Sequence, residues 1–121
     1  MKIMIVDDSQ TIRRLIRSVL QSEGTEIIEC SDGQEAIDGY PVHRPDWVVM
    51  DLEMGQVDGF EATRQIKSKF PEARIVILTS FDDEFMKAAS LASGACAYLL
   101  KDNIQEIPTL LRTGPGTSLP N

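Results

Sequence analysis

Short apolar runs alternate along this chain with longer segments in which apolar residues recur at helical spacing. The apolar runs cover residues 2–6, 25–30, 47–50, 74–78 and 97–100. Each is bounded by turn-forming or charged residues, so we expect five strands. Because strands that alternate with helices form βαβ units, the pattern predicts an α/β fold built on a parallel sheet.

The first helical segment has recognisable ends. Ser9 is placed to cap this helix, and Gly24 is placed to end it. Its buried stripe is predicted to be Ile12, Leu15, Ile16, Val19 and Leu20. These positions follow the three- and four-residue spacing of an amphipathic helix, so one side should pack on the sheet.

Capping residues also mark the later helices. Ser31 and Gln34 have the spacing of a capping box for a short second helix, and Asp58 starts a third with a glutamate three residues on. A fourth helix should run from residue 82 or 83 to Ser93, with Gly94 as its C-terminal stop.

Prolines shape the remaining connections. Pro41 and Pro45 are expected to bracket a loop that carries His43 into the third strand. Asn103 can cap a last helix, which Pro108 either interrupts or begins. The last helix is therefore the weakest element of the predicted fold.

Composition points to one small domain. The chain has 121 residues, of which 42% are hydrophobic, and we assign residues 1–112 to one domain and 113–121 to a flexible tail or linker start. The net charge of −7 argues against direct nucleic-acid binding and against docking on anionic membranes. No stretch reads as a membrane span or a signal peptide, so we expect a cytoplasmic protein. Cys30 and Cys96 lack metal-site spacing and are expected to be buried free thiols.

Charged and hydroxyl side chains follow four of the five predicted strands. Asp7 and Asp8 follow the first strand, Asp51 the third, Thr79 the fourth and Lys101 the fifth. The carboxyl ends of parallel strands meet at one edge, where open α/β sheets bind their ligands. Carboxylates suit a hard cation such as Mg²⁺, while a hydroxyl and an ammonium suit phosphoryl oxygens. The sequence therefore predicts a site for a cation and a phosphoryl group.

Each of these residues also has a simpler structural explanation. An acidic pair after a strand often caps the next helix, and Asp51 or Lys101 alone could be solvated surface residues. Tyr98, inside the last strand, would by default be a core or half-exposed aromatic. Their joint placement at strand ends favours a site. His43 is the only histidine and should lie at the opposite end of the sheet, so we expect no histidine-based catalysis.

Together these motifs resemble the receiver domain of bacterial two-component response regulators. The matching segments are Asp7-Asp8, Met50-Asp51-Leu52-Glu53-Met54, Asp58-Gly59, Leu78-Thr79-Ser80 and Tyr98-Leu99-Leu100-Lys101. The resemblance covers residues 2 to about 112 and implies a flavodoxin-like, doubly wound sheet of five parallel strands in the order 2-1-3-4-5, with helices on both faces. Residues 78–83 and 101–102 are most similar to receivers of the nitrate-response and quorum-sensing branch, which precede a helix-turn-helix output domain.

The resemblance also implies a metal site. Asp8 and Asp51 would ligate Mg²⁺ directly, Asp7 would act mainly through water, and Glu53 would offer its backbone carbonyl. Mn²⁺ is an alternative ion for the same oxygen ligands.

The resemblance further implies a phosphorylation switch. Asp51 would accept a phosphoryl group from a sensor histidine kinase or a phosphotransfer protein, and Lys101 would bind the phosphate. Thr79 would be the switch hydroxyl, and Tyr98 would rotate inward as Thr79 moves. Phosphorylation could then favour a homodimer or another output, including transcription through a DNA-binding domain. The domain would catalyse its own phosphoryl transfer and slow dephosphorylation without being a turnover enzyme.

Some features leave other functions open. The family usually has proline where Gly55 stands. This difference leaves open an alternative function, that of a pseudo-receiver that binds partners without phosphorylation. A phosphatase of the haloacid dehalogenase type also uses an aspartate nucleophile with an acid two residues on, and Glu53 has that spacing. The paired Asp7-Asp8 and the short chain favour a receiver. Nothing after Gly114 could form an output domain, so we expect either a stand-alone receiver or the first part of a longer protein.

Overall fold

The apolar runs form five parallel strands whose bounds match the predicted ones to within one residue. The computed structural model describes residues 1–22, 24–54 and 57–113. The strands are β1 Lys2–Val6, β2 Glu26–Cys30, β3 Trp47–Asp51, β4 Ile75–Thr79 and β5 Ala97–Leu100. They form one parallel sheet in the order β2-β1-β3-β4-β5. The α/β class and the predicted strand order are therefore confirmed.

Helices cover both faces of this sheet. They are α1 Gln10–Leu20, α2 Gly33–His43, α3 Gly59–Lys69, α4 Glu84–Ala92 and α5 Ile107–Thr113, with a 3₁₀ helix at Lys101–Glu106 before α5. Successive residues of β1 point to opposite faces: Met4 joins an apolar cluster with residues of α2 and α3, whereas Ile3 and Ile5 join one with residues of α1 and α5. Because both faces are buried, the strands are nearly continuous apolar runs.

The first helix confirms its predicted start but not its whole buried stripe. Ser9 caps α1, its Oγ accepting a hydrogen bond from the Ile12 N–H at 3.3 Å. Ile16 and Leu20 are buried. Leu15 is 49% exposed, because it lies at the edge of the helix face that packs on the sheet. The helix ends at Leu20, so Gly24 lies in the following turn, at a φ of +84°, and does not end the helix.

The second helix differs from the prediction at both ends. Its cap is Asp32, whose Oδ1 accepts from the Glu35 N–H at 2.8 Å, so the predicted Ser31–Gln34 box was one residue early. The predicted loop between the prolines was also wrong, because α2 continues through Pro41 to His43. Pro41 lies in the last turn, where its missing N–H removes one intrahelical bond, and the buried Tyr40 beside it anchors the turn against the sheet.

The later helices largely follow their predicted signals. Asp58 caps α3 and Asp83 caps α4, and Gly94, at a φ of +111°, follows the end of α4. Asn103 does not cap the last helix; it lies inside the 3₁₀ segment with a non-helical backbone. Pro108 is the second residue of α5, in the first turn, where a missing N–H removes no intrahelical bond.

Two further predictions concern the cysteines and the C-terminal tail. Cys30 is buried as expected, whereas Cys96, which directly precedes the edge strand β5, is partly exposed. The described residues contain no disulfide. Gly55 and the predicted tail from residue 114 onward lie outside the described residues.

Candidate functional site

The sheet brings the predicted polar residues to one edge. β1, β3 and β4 are neighbours, so the residues that follow or end them, Asp7, Asp51 and Thr79, lie side by side. Asp7 and Thr79 are fully buried, and Asp51 is 1% exposed. Buried carboxylates are costly unless they are paired or ligate a metal, which marks this edge as a candidate site.

Lys101 pairs with both buried carboxylates. Its Nζ lies 3.1 Å from Asp51 Oδ1 and 3.3 Å from Asp7 Oδ2, and the lysine side chain is 17% exposed. Both contacts are ion pairs. Lys101 directly follows β5, so the strand register places its ammonium over the two acids.

Three aspartates together offer oxygen ligands for a cation. Carboxylate oxygens of Asp7, Asp8 and Asp51 lie within 4.8 Å of one another. Asp51 Oδ2 is buried and has no hydrogen-bond partner among the residues that the structure describes. With three carboxylates and one ammonium the site has a formal charge of −3 + 1 = −2. Both the oxygen donors and the charge suit a hard divalent cation.

Burial has the largest effect on the pKa values of Asp7 and Asp51. It raises the pKa of Asp51 from 3.8 to about 6, with repulsion from Asp7 adding to the effect and Lys101 opposing it. The pKa of Asp7 is also raised, again mainly by burial. Burial alone would lower the pKa of Lys101, but attraction to Asp51 and Asp7 outweighs it and raises that pKa. Desolvation is therefore a larger cause of the raised pKa values of Asp51 and Asp7 than repulsion between the acids.

The backbone after β3 holds Asp51 in place. The Glu53 N–H donates to Asp51 Oδ1 at 3.3 Å, and the Gly59 N–H donates to the Leu52 carbonyl at 3.3 Å. Helix α3 begins so close to this segment that a Cβ on Gly59 would lie 2.2 Å from the Asp51 carbonyl oxygen. Glycine at position 59 is therefore required by this close approach.

The switch candidates are joined by hydrogen bonds. Thr79 Oγ1 donates to Glu53 Oε1 at 2.8 Å and accepts from the Phe81 N–H at 3.2 Å. The Tyr98 hydroxyl donates to the Phe81 carbonyl. Tyr98 is half-buried, with its ring against the α2–α3 side of the sheet.

Two contributions were not found from the sequence. The side chain of Glu53 binds Thr79, whereas the resemblance to receivers implied a role only for its backbone carbonyl. Arg13, 15% exposed, donates from Nη1 to the Asp7 carbonyl at 2.6 Å and from Nε to Glu29 at 2.9 Å. The position of Arg13 one helical turn into α1 was the only available signal, and it does not distinguish an anchor from a solvated arginine.

Comparison with known proteins places these residues in a family. The model of the response regulator receiver domain matches residues 3–112. The chain is 40% identical over 101 residues to the transcriptional regulatory protein PdtaR of Mycobacterium tuberculosis, covering 83% of this chain and 49% of that protein. It is 33% identical over 101 residues to the chemotaxis protein CheY of Bacillus subtilis, covering 83% of this chain and 84% of CheY.

A solved structure agrees with these relatives. The chain superposes on a two-component response regulator of the LuxR family from Aurantimonas sp. SI85-9A1 with a TM-score of 0.82 and 32% identity, covering 93% of this chain and 85% of that one. The chain spans about half the length of PdtaR. Among the described residues, no helix is long and apolar enough to cross a membrane.

Proposed function

The chain belongs to the response regulator receiver family, and on that premise we propose that Asp51 accepts a phosphoryl group from a sensor histidine kinase or a phosphotransfer protein. Receivers of this family are generally not turnover enzymes. The observation that carries the proposal concerns Asp51, one of the two buried carboxylates beside Lys101: one of its oxygens pairs with Lys101, and the other has no hydrogen-bond partner among the described residues.

The proposed reaction uses the unpartnered oxygen of Asp51. Asp51 Oδ2 attacks phosphorus, a P–O bond forms, and the bond from phosphorus to the donor breaks, with the electron pair leaving on the donor atom. The donor is a phosphohistidine nitrogen in a partner or an oxygen in a small acyl phosphate. Because Asp51 is only 1% exposed, the side chains that cover it have to shift as the donor enters.

Positive charge around Asp51 then stabilises the transferred group. The Lys101 ammonium lies beside both acids and would pair with one phosphoryl oxygen, while the Thr79 hydroxyl would donate to another. Asp8, Asp51 and the Glu53 carbonyl would hold Mg²⁺ or Mn²⁺, with Asp7 acting through water. When bound, the cation would neutralise charge on the phosphoryl oxygens.

The proposed switch requires the Thr79 hydroxyl to exchange its present hydrogen bonds for one to the phosphoryl group. A phosphoryl group adds about −1.5 to −2 charge and new acceptor oxygens. Thr79 would turn toward it, and Tyr98 would follow inward, changing the surface formed by α4, β5 and α5. We propose that this altered surface controls an output, in line with the transcriptional regulators among the relatives. Membership of the nitrate-response and quorum-sensing branch, a phosphorylation-dependent homodimer and a cytoplasmic location stay part of this proposal.

Intact mass spectrometry with acetyl phosphate tests the proposal. With Mg²⁺ the parent should gain one phosphoryl group and lose it slowly once the donor is removed. The Asp51→Asn variant and the parent in EDTA should gain none. Asp38→Asn, which changes an exposed acid on α2, is the matched control and should be phosphorylated like the parent.

The same experiment separates the alternative functions. Continuous release of phosphate at a rate far above the slow loss of the phosphoryl group expected of a receiver would indicate the phosphatase, and no adduct under any condition would indicate a pseudo-receiver. The Glu53 carboxylate favours the receiver, since its Oε1 accepts hydrogen bonds from Thr79 and Ser80.

A further inference from the structure

The side chain of Glu53 occupies a position from which it can oppose the switch. Its backbone N–H binds Asp51, but its carboxylate reaches across to β4, where Oε1 lies 2.8 Å from Thr79 Oγ1 and 3.4 Å from the Ser80 nitrogen. Thr79 is fully buried, whereas Glu53 is exposed. One oxygen of a surface carboxylate thus fixes the orientation of a buried hydroxyl.

A threonine hydroxyl has one proton to donate. In this arrangement Thr79 gives that proton to Glu53, and its oxygen accepts from the Phe81 N–H. Thr79 therefore cannot donate to a phosphoryl oxygen on Asp51 until its bond to Glu53 breaks. The carboxylate of Glu53 and a phosphoryl group compete for the same proton, and both are anions.

The bond also connects Glu53 to Tyr98. The peptide of Phe81 donates through its N–H to Thr79 and accepts through its carbonyl from the Tyr98 hydroxyl. Displacing Thr79 from Glu53 disturbs the Phe81 peptide and, with it, the hydrogen bond of Tyr98. The four residues Glu53, Thr79, Phe81 and Tyr98 form one hydrogen-bonded chain from the segment after β3 to β5.

We propose that the Glu53 side chain is a positioning residue that holds Thr79, and through Phe81 also Tyr98, in the unphosphorylated arrangement. It acts as a latch, defined here as the Glu53–Thr79 hydrogen bond, whose rupture accompanies switching. This inference rests on the proposed phosphorylation of Asp51, and it assigns to Glu53 a role that its backbone carbonyl does not supply.

The test compares three variants with the parent by NMR and by binding of beryllofluoride, a phosphoryl mimic, at saturating Mg²⁺. Glu53→Ala removes the latch, and Glu53→Gln retains an uncharged acceptor. Asp82→Asn is the control, because it removes an exposed carboxylate near the start of α4. The probes are the Phe81 amide and the Tyr98 ring, with the buried Tyr40 ring as internal reference.

Without beryllofluoride, Glu53→Ala should move the Phe81 and Tyr98 signals toward their positions in the beryllofluoride-bound parent. It should also bind beryllofluoride about threefold to tenfold more tightly, the range expected for loss of one competing hydrogen bond. Glu53→Gln should fall between the parent and Glu53→Ala, and Asp82→Asn should match the parent in affinity without moving the Phe81 and Tyr98 signals toward their bound positions.

Two results would overturn the latch. One is unmoved Phe81 and Tyr98 signals in Glu53→Ala, and the other is an equal gain in affinity in Asp82→Asn, which would reveal a general charge effect. If the parent itself bound no beryllofluoride, the proposed function would fail. The latch would then be tested in the free proteins alone. Phe81 and Tyr98 signals that move further in Glu53→Ala than in Asp82→Asn would support it, and equal shifts in the two variants would contradict it.

Discussion

Replacing Asp51 with asparagine should stabilise the metal-free protein at neutral pH. Asp51 is 1% exposed, and burial, followed by repulsion from Asp7, raises its pKa to about 6. The folded protein thus binds a proton at Asp51 more tightly than the unfolded chain does. Stability associated with this group is fully present below the unfolded-state pKa and is lost as the pH rises through the folded-state pKa. Asparagine is neutral throughout and avoids that loss.

The expected magnitude follows from the size of the shift. A rise from 3.8 to about 6 is about two pKa units, which corresponds to roughly 3 kcal/mol. The parent should be less stable than Asp51→Asn by up to this amount near neutral pH, and by about half of it near pH 5. At acid pH, where Asp51 is protonated, the two proteins should have similar stability.

Urea unfolding in EDTA measures this difference. Parent and variant are compared at about pH 5 and about pH 7.5, and ΔG is taken from the linear extrapolation. Asp38→Asn, at an exposed position, controls for the general effect of losing a negative charge. Mg²⁺ at about ten times its Kd should add about 1.4 kcal/mol to the parent and little to the variant.

Two outcomes would refute this reasoning. The first is a variant less stable than the parent in EDTA at about pH 7.5, which would mean that ionised Asp51 is stabilised by Lys101 more than it is penalised by burial. The second is a stability difference that does not change with pH, which would mean that Asp51 does not titrate with a raised pKa in the folded protein.

Two further substitutions, each with a matched control, probe the surroundings of Asp51. Gly59→Ala would place a Cβ 2.2 Å from a backbone oxygen of Asp51 and should lower the free energy of unfolding by about 2 kcal/mol or more. Gly39→Ala, whose Cβ would meet only side-chain atoms, the Met4 Cε at 3.4 Å and the His43 Cδ2 at 3.6 Å, should be neutral or stabilising by up to about 1 kcal/mol in the same urea unfolding measurements. Lys101→Ala should slow phosphorylation by acetyl phosphate on the order of 100-fold, whereas Lys87→Ala, at an exposed position of α4, should not. Equal rates for the two lysine variants would contradict the role of Lys101.

The strands could be predicted because parallel strands buried on both faces leave an unbroken apolar signal. Ile3 and Met4 enter different clusters on opposite faces, yet both must be apolar. The prediction failed where tertiary packing overrode a local signal. Pro41 reads as a loop residue, but the buried Tyr40 keeps the helix intact for one more turn.

The site, too, was predicted only in part from the sequence. Asp7, Asp51, Thr79 and Lys101 follow from the strand ends, because parallel strands deliver their C-terminal residues to one edge. The side chains of Glu53 and Arg13 do not follow, since their contacts depend on rotamers and on the spacing between separate elements. Their spacing in the sequence gave no sign that Glu53 binds Thr79 or that Arg13 binds the Asp7 carbonyl.

The position of the acceptor can be read directly by chemical trapping. Borohydride reduces an aspartyl phosphate to homoserine, so the protein is treated with acetyl phosphate and Mg²⁺, reduced, digested and sequenced by mass spectrometry. We predict homoserine at position 51 alone, and none when Mg²⁺ is replaced by EDTA. Homoserine at position 7 or 8, or at no position in a protein that unfolds cooperatively, would contradict the assignment of Asp51 as the phosphoacceptor.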